Sequence, residues 1–199
     1  MTDTCPSLAD IMREILLANE LSGNQAAAYR FSDADGRAGR SGYSFGICQF
    51  DLKFNATASV ILTRCGFSSG EISELKMQTE KSLDPYNAKL KAGSMVVDLW
   101  DRKTCDECLH HVLGLELPWV IPGDTLFHLA DYHNQFNLQD GGQMHRYLQG
   151  LTVPATPEHV LDFKLYQTRW GKKAPADVHR RFDNIQGVLA SHQVGPKAA

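Results

Sequence analysis

The chain has no long hydrophobic run, no strong excess of either charge and no even set of cysteines, and each absence removes a class of protein. No stretch approaches the roughly eighteen consecutive apolar residues of a membrane-spanning helix, so a membrane is not an expected partner. Its 20 Lys and Arg against 23 Asp and Glu give a formal net charge of -3. That balance argues against a protein built to coat nucleic acid. Five cysteines, Cys5, Cys48, Cys65, Cys105 and Cys108, cannot all pair, and reduced thiols are the simpler reading. The opening MTDTCPSLADIMREILL places no basic segment ahead of its apolar part, so a Sec-type signal peptide is not expected. Synthesis in the cytoplasm follows, with any action elsewhere depending on release through a pore or a secretion machine. Internal repeats and low-complexity segments are also missing.

What is there suits one domain. At 199 residues, 43% apolar and 22% charged, the chain can bury one sizeable core. Leu8, Ile11, Met12, Ile15 and Leu16 share one face of a helix running from about residue 8 to 21. Ser7 is its expected N-cap and Ser22-Gly23-Asn24 its stop. From residue 56 onward the patterning is mostly helical. ATASVILTRCGF ends at Gly66, and SSGEISELK opens with a Ser68–Glu71 capping box. A mixed-period helix covers about 95 to 115. PGDTLFHLADYHNQFN has Asp124 as a candidate cap. TPEHVLDFKLYQTRWG carries Thr156 at the N-cap, Pro157 at N1 and Gly171 past its end. A last helix begins after Pro175, and residues 193–199 read as a frayed tail.

Between the first helix and residue 56 the period changes from 3.6 to 2. Tyr29 and Phe31 flank Arg30, and Tyr43, Phe45 and Ile47 alternate with Ser44, Gly46 and Cys48. This predicts a β-hairpin with a long Gly/Ser/Asp-rich connection. Ser44 and Gly46 then share a face where small side chains leave room for a ligand. The expected architecture is α+β with helices dominant: a hairpin lobe at about 22–55, a helical body at 56–192, and a ligand cleft between them.

Three groups of residues carry candidate chemistry. Glu20 lies in the last turn of the first helix, at the negative end of the macrodipole, which disfavours its ionised form. A cleft would add desolvation in the same direction, as a general acid requires. Glu14, mid-helix on the polar face, is the internal comparison; an ordinary solvated Glu20 is the plainer alternative. Asp33 and Asp35 offer a second carboxylate, and two carboxyl groups flanking a glycosidic bond are the working pair of most glycosidases. SDADG read as turn chemistry alone stands level with that reading. It is a poor calcium loop, because the twelfth position counted from Asp33 is Ser44 rather than glutamate. TCDECLHH brings Cys105, Cys108, His110 and His111 into one stretch. There is no second C-x-x-C, and adjacent histidines diverge on a helix, so core packing of Cys108 is favoured over zinc and over a redox pair. Cys48 as a thiol nucleophile is a minor alternative.

A helix-terminal Glu20, then AYRFSDADG, then YSFGICQ, resembles the lysozyme superfamily. Phage-type lysozymes follow such a glutamate with a strand bearing an aspartate and a Tyr-Thr-x-Gly-x-Gly-like strand, which Tyr43-Ser44-Phe45-Gly46-Ile47 resembles with Ser44 in the threonine position. GICQF is similar to the Gly-Leu-x-Gln segment of lytic transglycosylases and goose-type lysozymes. LADYHNQFN resembles their helix on the opposite wall of the cleft, and RYLQGL the following helix of phage endolysins. The resemblance spans about residues 10–55 and 124–150 and leaves the middle unmatched. The insert GRAGRSG lengthens the loop, so Asp33 and Asp35 both remain candidates for the family's aspartate.

The resemblance implies a lysozyme-like fold and a muramidase cutting between N-acetylmuramic acid and N-acetylglucosamine. Glu20 would protonate the leaving sugar's oxygen, Asp33 or Asp35 would handle water or the developing cation, and Ser44 would hold that water. Tyr43, Gly46, Gln49, Tyr132, Asn134 and Gln135 would contact the sugars, though the alternation of Tyr29 and Tyr43 favours a core role for both. Arg37 and Arg40 would meet acidic groups or simply be solvated. No metal or other cofactor is implied. The partner would be peptidoglycan or a related amino-sugar polymer, with any delivery or immunity partner left open. The alternatives are a lytic transglycosylase giving 1,6-anhydro products, a chitosanase-like relative, and a non-catalytic module on the same scaffold.

Overall fold

The computed structural model describes residues 6–33, 36 and 41–194. Among these residues the protein is predominantly helical, with ten α-helices and one two-stranded antiparallel sheet. The chain forms two compact units, one of Leu16–Thr104 and one in which the residues up to Ile15 join those from Cys105 onward.

Helix α1 spans Leu8–Leu21. The Ser7 hydroxyl accepts from the Asp10 amide at 3.2 Å while the Asp10 carboxylate accepts from the Ser7 amide at 3.1 Å, a reciprocal cap that satisfies two orphan donors. Ile11, Met12, Ile15 and Leu16 are buried, but Leu8 is 49% exposed and drops out of the expected stripe. At the far end Gly23, at φ +78, donates to the Leu17 carbonyl at 3.0 Å, closing the helix with a left-handed turn that glycine adopts at little cost.

In the Leu16–Thr104 unit the hairpin sits later than the alternation predicts. Asn24 caps a 3-10 turn at Gln25–Tyr29, so Tyr29 closes a helical turn and does not enter a strand. The sheet is β1 (Ser44–Phe45) against β2 (Phe50–Asp51), with Ser44 opposite Asp51 and Phe45 opposite Phe50. The expected pairing survives as one bridge, Ser32 to Ser44. Phe31, Tyr43, Phe45 and Phe50 bury their rings together, with Phe31 and Phe45 meeting edge-on at 5.6 Å. Four helices complete this part of the chain: α2 (Ala56–Arg64), α3 (Ser69–Met77), α4 (Asp84–Ala92) and the first half of α5 (Ser94–Leu113). The capping box at Ser68 and Glu71 forms, and Lys89 of α4 reaches Glu71 at 2.8 Å. Lys89 and the Ser68 donors hold the Glu71 carboxyl down at about 2.

The other unit packs α6 (Gly123–Phe136), α7 (Gln143–Gln149), α8 (Pro157–Gln167), α9 (Arg169–Lys173) and α10 (Pro175–Ser191) with the end of α5. Helix α6 begins at Gly123, so Asp124 lies within its first turn and not at the cap. Helix α8 stops at Gln167, earlier than Gly171 would place its end. Thr168 breaks the run and caps α9, its hydroxyl accepting from the Gly171 amide at 2.9 Å and donating to the Lys164 carbonyl at 2.6 Å. Gly171 packs so closely on α8 that a Cβ would lie 2.0 Å from the Lys164 carbonyl oxygen. It is a packing residue inside α9, not a helix stop.

The core of this unit holds an ion-pair network. Asp131 is fully buried, accepting from Lys164 Nζ at 2.7 Å and from Arg181 at 2.6 Å. With its amide oxygen turned towards Arg181, Gln135 accepts from the guanidinium Nε at 2.9 Å. Removing one partner of such a network leaves the others charged without compensation. Asp131→Ala should therefore destabilise the fold by roughly 3–5 kcal/mol, read as a lowered urea midpoint. Beside it His128 is buried and accepts from the Gln186 amide at 2.9 Å. Burial, with Lys164 adding to it, pushes the His128 pKa from 6.5 down to about 3. Below about pH 6.5 the unfolded chain takes up a proton that the folded chain refuses, so stability falls as the pH drops through that range. The urea midpoint should fall more steeply between about pH 6.5 and 4 in the native protein than in His128→Gln; equal slopes would contradict a buried neutral His128.

Candidate functional site

Glu20 stands in the last turn of α1, half-buried. Its comparison residue Glu14 is exposed and paired with His192 at 2.7 Å. From Glu20 the chain is pinned at two points before it reaches Asp33. The Tyr29 hydroxyl accepts from Gln25 at 2.6 Å and donates to Asp98 of α5 at 2.8 Å. The Phe31 amide donates to Asn87 of α4 at 2.9 Å. Ser32 then exchanges two backbone hydrogen bonds with Ser44, both 2.9 Å.

Asp33 follows that bridge and is half-buried. Gln78, the left-handed cap of α3 at φ +53, donates to Asp33 Oδ2 at 3.2 Å. Oδ1 is enclosed and has no hydrogen-bond partner among the described residues. A carboxylate oxygen held away from water without a donor costs stability, and such groups call for an explanation beyond packing. Asp35, Arg37 and Arg40 lie outside the described residues.

The rest of the candidate set in this unit clusters around the hairpin turn, Gly46 to Gln49. Gln49, at φ +52, donates to the Gly46 carbonyl at 2.9 Å and accepts from the Ser32 hydroxyl at 3.4 Å. Ser44 is half-buried on β1. Tyr43 is buried, its hydroxyl donating to Glu80 at 2.6 Å; this places it in the core and away from any sugar. The open face expected across Gly46 is filled from within the protein. At φ +75, a Cβ on Gly46 would lie 2.9 Å from both Asp101 Oδ1 and the Phe50 ring. The glycine suits a left-handed backbone position crowded by a carboxylate of α5 and by the Phe50 ring.

That carboxylate is the main feature that sequence reasoning missed. Asp101 is fully buried. Its Oδ2 accepts from the Ile47 amide at 3.0 Å and its Oδ1 from the Cys48 amide at 2.9 Å. Charge-assisted bonds of this kind are about twice as strong as neutral ones, and they satisfy two turn donors that the short sheet leaves over. The spacing of Asp98 and Asp101, three apart within a helical stretch, was the available signal: it sets both on one face.

Both cysteines of the cysteine and histidine stretch pack into the core. Cys105 and Cys108 are buried, and burial pushes the Cys108 thiol up to about 12. Cys65 is raised to about 11 by the same cause, and Cys48 turns its thiol to the Asp101 carbonyl at 3.5 Å. High pKa values keep thiols protonated and poorly nucleophilic. His110 is exposed, while His111 stacks on His133 with ring centroids 4.0 Å apart. Among the described residues no group of three or more His, Cys, Asp or Glu side chains is placed to hold a metal ion, and no helix is long and apolar enough to cross a membrane.

The remaining sugar-binding candidates lie in the other unit. Tyr132 is 8% exposed and meets Phe136 at 5.0 Å and Phe163 edge-on at 5.9 Å. It forms part of the wall of a groove that Trp170 and Phe136 also line. Asn134 is half-buried on α6. Gln135 faces the Arg181 guanidinium, which commits it to the ion-pair network rather than to a ligand. Comparison with protein-family profiles, with curated proteins and with solved structures finds no match.

The Asp101 contact yields a direct test. Asp101→Asn replaces one accepting oxygen with a donor facing an N–H. It should destabilise by about 1–3 kcal/mol, and the Ile47 and Cys48 amides should lose hydrogen-exchange protection ahead of the rest of the unit. Unchanged protection at both amides would show that the turn holds itself.

Proposed function

We propose that the protein is a glycosidase of lysozyme-like fold that cleaves the β-1,4 bond between N-acetylmuramic acid and N-acetylglucosamine in peptidoglycan. The observation that carries the reading is the Asp33 carboxylate: one oxygen fixed by Gln78, the other enclosed and without a donor among the described residues. A half-buried carboxylate held in place by one side-chain donor is the kind of group that a site stabilising positive charge uses. A half-buried Glu20 in the same compact unit supplies the second carboxyl group. A predominantly helical chain with one small antiparallel ribbon soon after its first helix is compatible with the fold proposed.

In this scheme Glu20 donates a proton to the glycosidic oxygen as the bond to the leaving sugar breaks. Asp33 acts on the oxocarbenium-like charge or the incoming water through Oδ2, the oxygen that Gln78 holds as its positioning residue, since Oδ1 is enclosed. Ser44 and Gln49, held across the Ser32 bridge, orient that water or the sugar beside it. The sequence resemblance supports the roles of Glu20, Asp33, Ser44 and Gln49.

Substitution separates the two carboxylates. Glu20→Gln should lower turnover on purified sacculi by about 10²–10⁴-fold while circular dichroism stays unchanged. Asp33→Asn should also lower it, and by less if Glu20 alone can drive formation of a 1,6-anhydro product. Full activity in Glu20→Gln would remove the catalytic reading and leave a binding module.

A further inference from the structure

A second feature of the chain is unused by that chemistry. In the unit that contains α6 to α10, two adjoining hollows of about 500 and 260 Å³, together termed the trough, have Gln143 and Gln167 in the walls of both. Its first half is floored by Phe136 and Trp170, with ring centroids 5.7 Å apart, and edged by Arg169 and Lys173. Its second half carries Tyr147 and Arg146. Arg169 and Lys173 are exposed and enter no ion pair among the described residues. Asp162 is an acidic neighbour of Tyr147.

We propose that this trough is a non-catalytic binding site for an acidic oligosaccharide, an amino-sugar strand bearing carboxylates. The choice of amino sugar rests on the function proposed above; the preference for an acidic glycan rests on the trough alone. Aromatic faces accept the C–H-rich face of a pyranose, the two glutamines offer donors and acceptors to hydroxyl and acetamide groups, and the cations select carboxylates. The trough is also rigid where it matters. Trp170 precedes Gly171, whose missing side chain lets α9 lie against the α8 backbone, and Thr168 ties both ends of that contact. A platform fixed in advance loses little entropy on binding. Its occupant would be held while the bond is cut elsewhere on the same strand or a neighbouring one, which raises the local concentration of substrate.

The test is calorimetric titration of Glu20→Gln with an alternating N-acetylglucosamine–N-acetylmuramic acid tetrasaccharide, checked afterwards by mass spectrometry for cleavage. The expected result is saturable binding that weakens with salt, about tenfold tighter than for the neutral chitin tetrasaccharide. In the Glu20→Gln background, Trp170→Ala and the pair Arg169→Gln with Lys173→Gln should each weaken it by about tenfold with the circular dichroism spectrum retained. Equal affinity for the neutral sugar, no response to either set of substitutions, or tighter binding of a single-stranded oligonucleotide would overturn the proposal. Cleavage by Glu20→Gln would instead defeat the catalytic reading and leave the binding isotherm as evidence on its own.

Discussion

The candidate active region depends on one buried carboxylate reaching across more than fifty positions of sequence. Asp101 binds the two amides at the tip of the hairpin turn, and at the start of that turn a Cβ on Gly46 would crowd this carboxylate and the Phe50 ring alike. A two-stranded ribbon with two residues in each strand cannot hold itself in water. Here the turn is fastened to a long helix, and the ribbon's aromatic side is sealed by Phe31, Phe45 and Phe50. Ser44, Gln49 and the Ser32 bridge take their positions from that anchor, and Asp33 leaves the bridge directly.

The two compact units use buried charge in different ways. In Leu16–Thr104, Asp101 is satisfied by backbone donors, so it organises local chain geometry. In the other unit Asp131 is matched by Lys164 and Arg181, which joins α6, α8 and α10 through side chains. Complete burial pushes the Asp131 carboxyl up, but Lys164 and Arg181 together outweigh it and hold the group below the ordinary carboxylate range. Beside this network lies His128, which burial keeps neutral by holding its pKa down at about 3. Both devices favour one arrangement of packed helices over nearby alternatives, since a slipped helix would strand a charge.

Local signals were legible in the sequence and distant ones were not. The reciprocal cap at Ser7 and the left-handed stop at Gly23 bracket α1 at residues 8 and 21, where periodicity alone puts it. The box at Ser68 and Glu71 and the Gly66 stop are equally local. Helix α4 went unread because its first turn has no side-chain cap. The hairpin was displaced because alternation at Tyr29 and Phe31 reports which side chains are buried, not which backbone groups pair; Asn24 and Asn87 decided the latter. Gly46 was read as space for a ligand when its neighbour was Asp101, a contact with no trace in the nearby residues. Gly171 misled in the same manner, since a glycine needed for close helix packing looks in sequence like one that ends a helix.

In the proposed reaction two carboxyl groups of one compact unit break a glycosidic bond in a carboxylate-bearing amino-sugar polymer. Mass spectrometry of the fragments released from purified sacculi in heavy-oxygen water reads that cleavage at the bond itself. New sugar ends should carry one heavy oxygen atom, or be anhydro ends lacking a water. Sacculi left intact, or cut only in their peptide cross-links, would contradict that reaction.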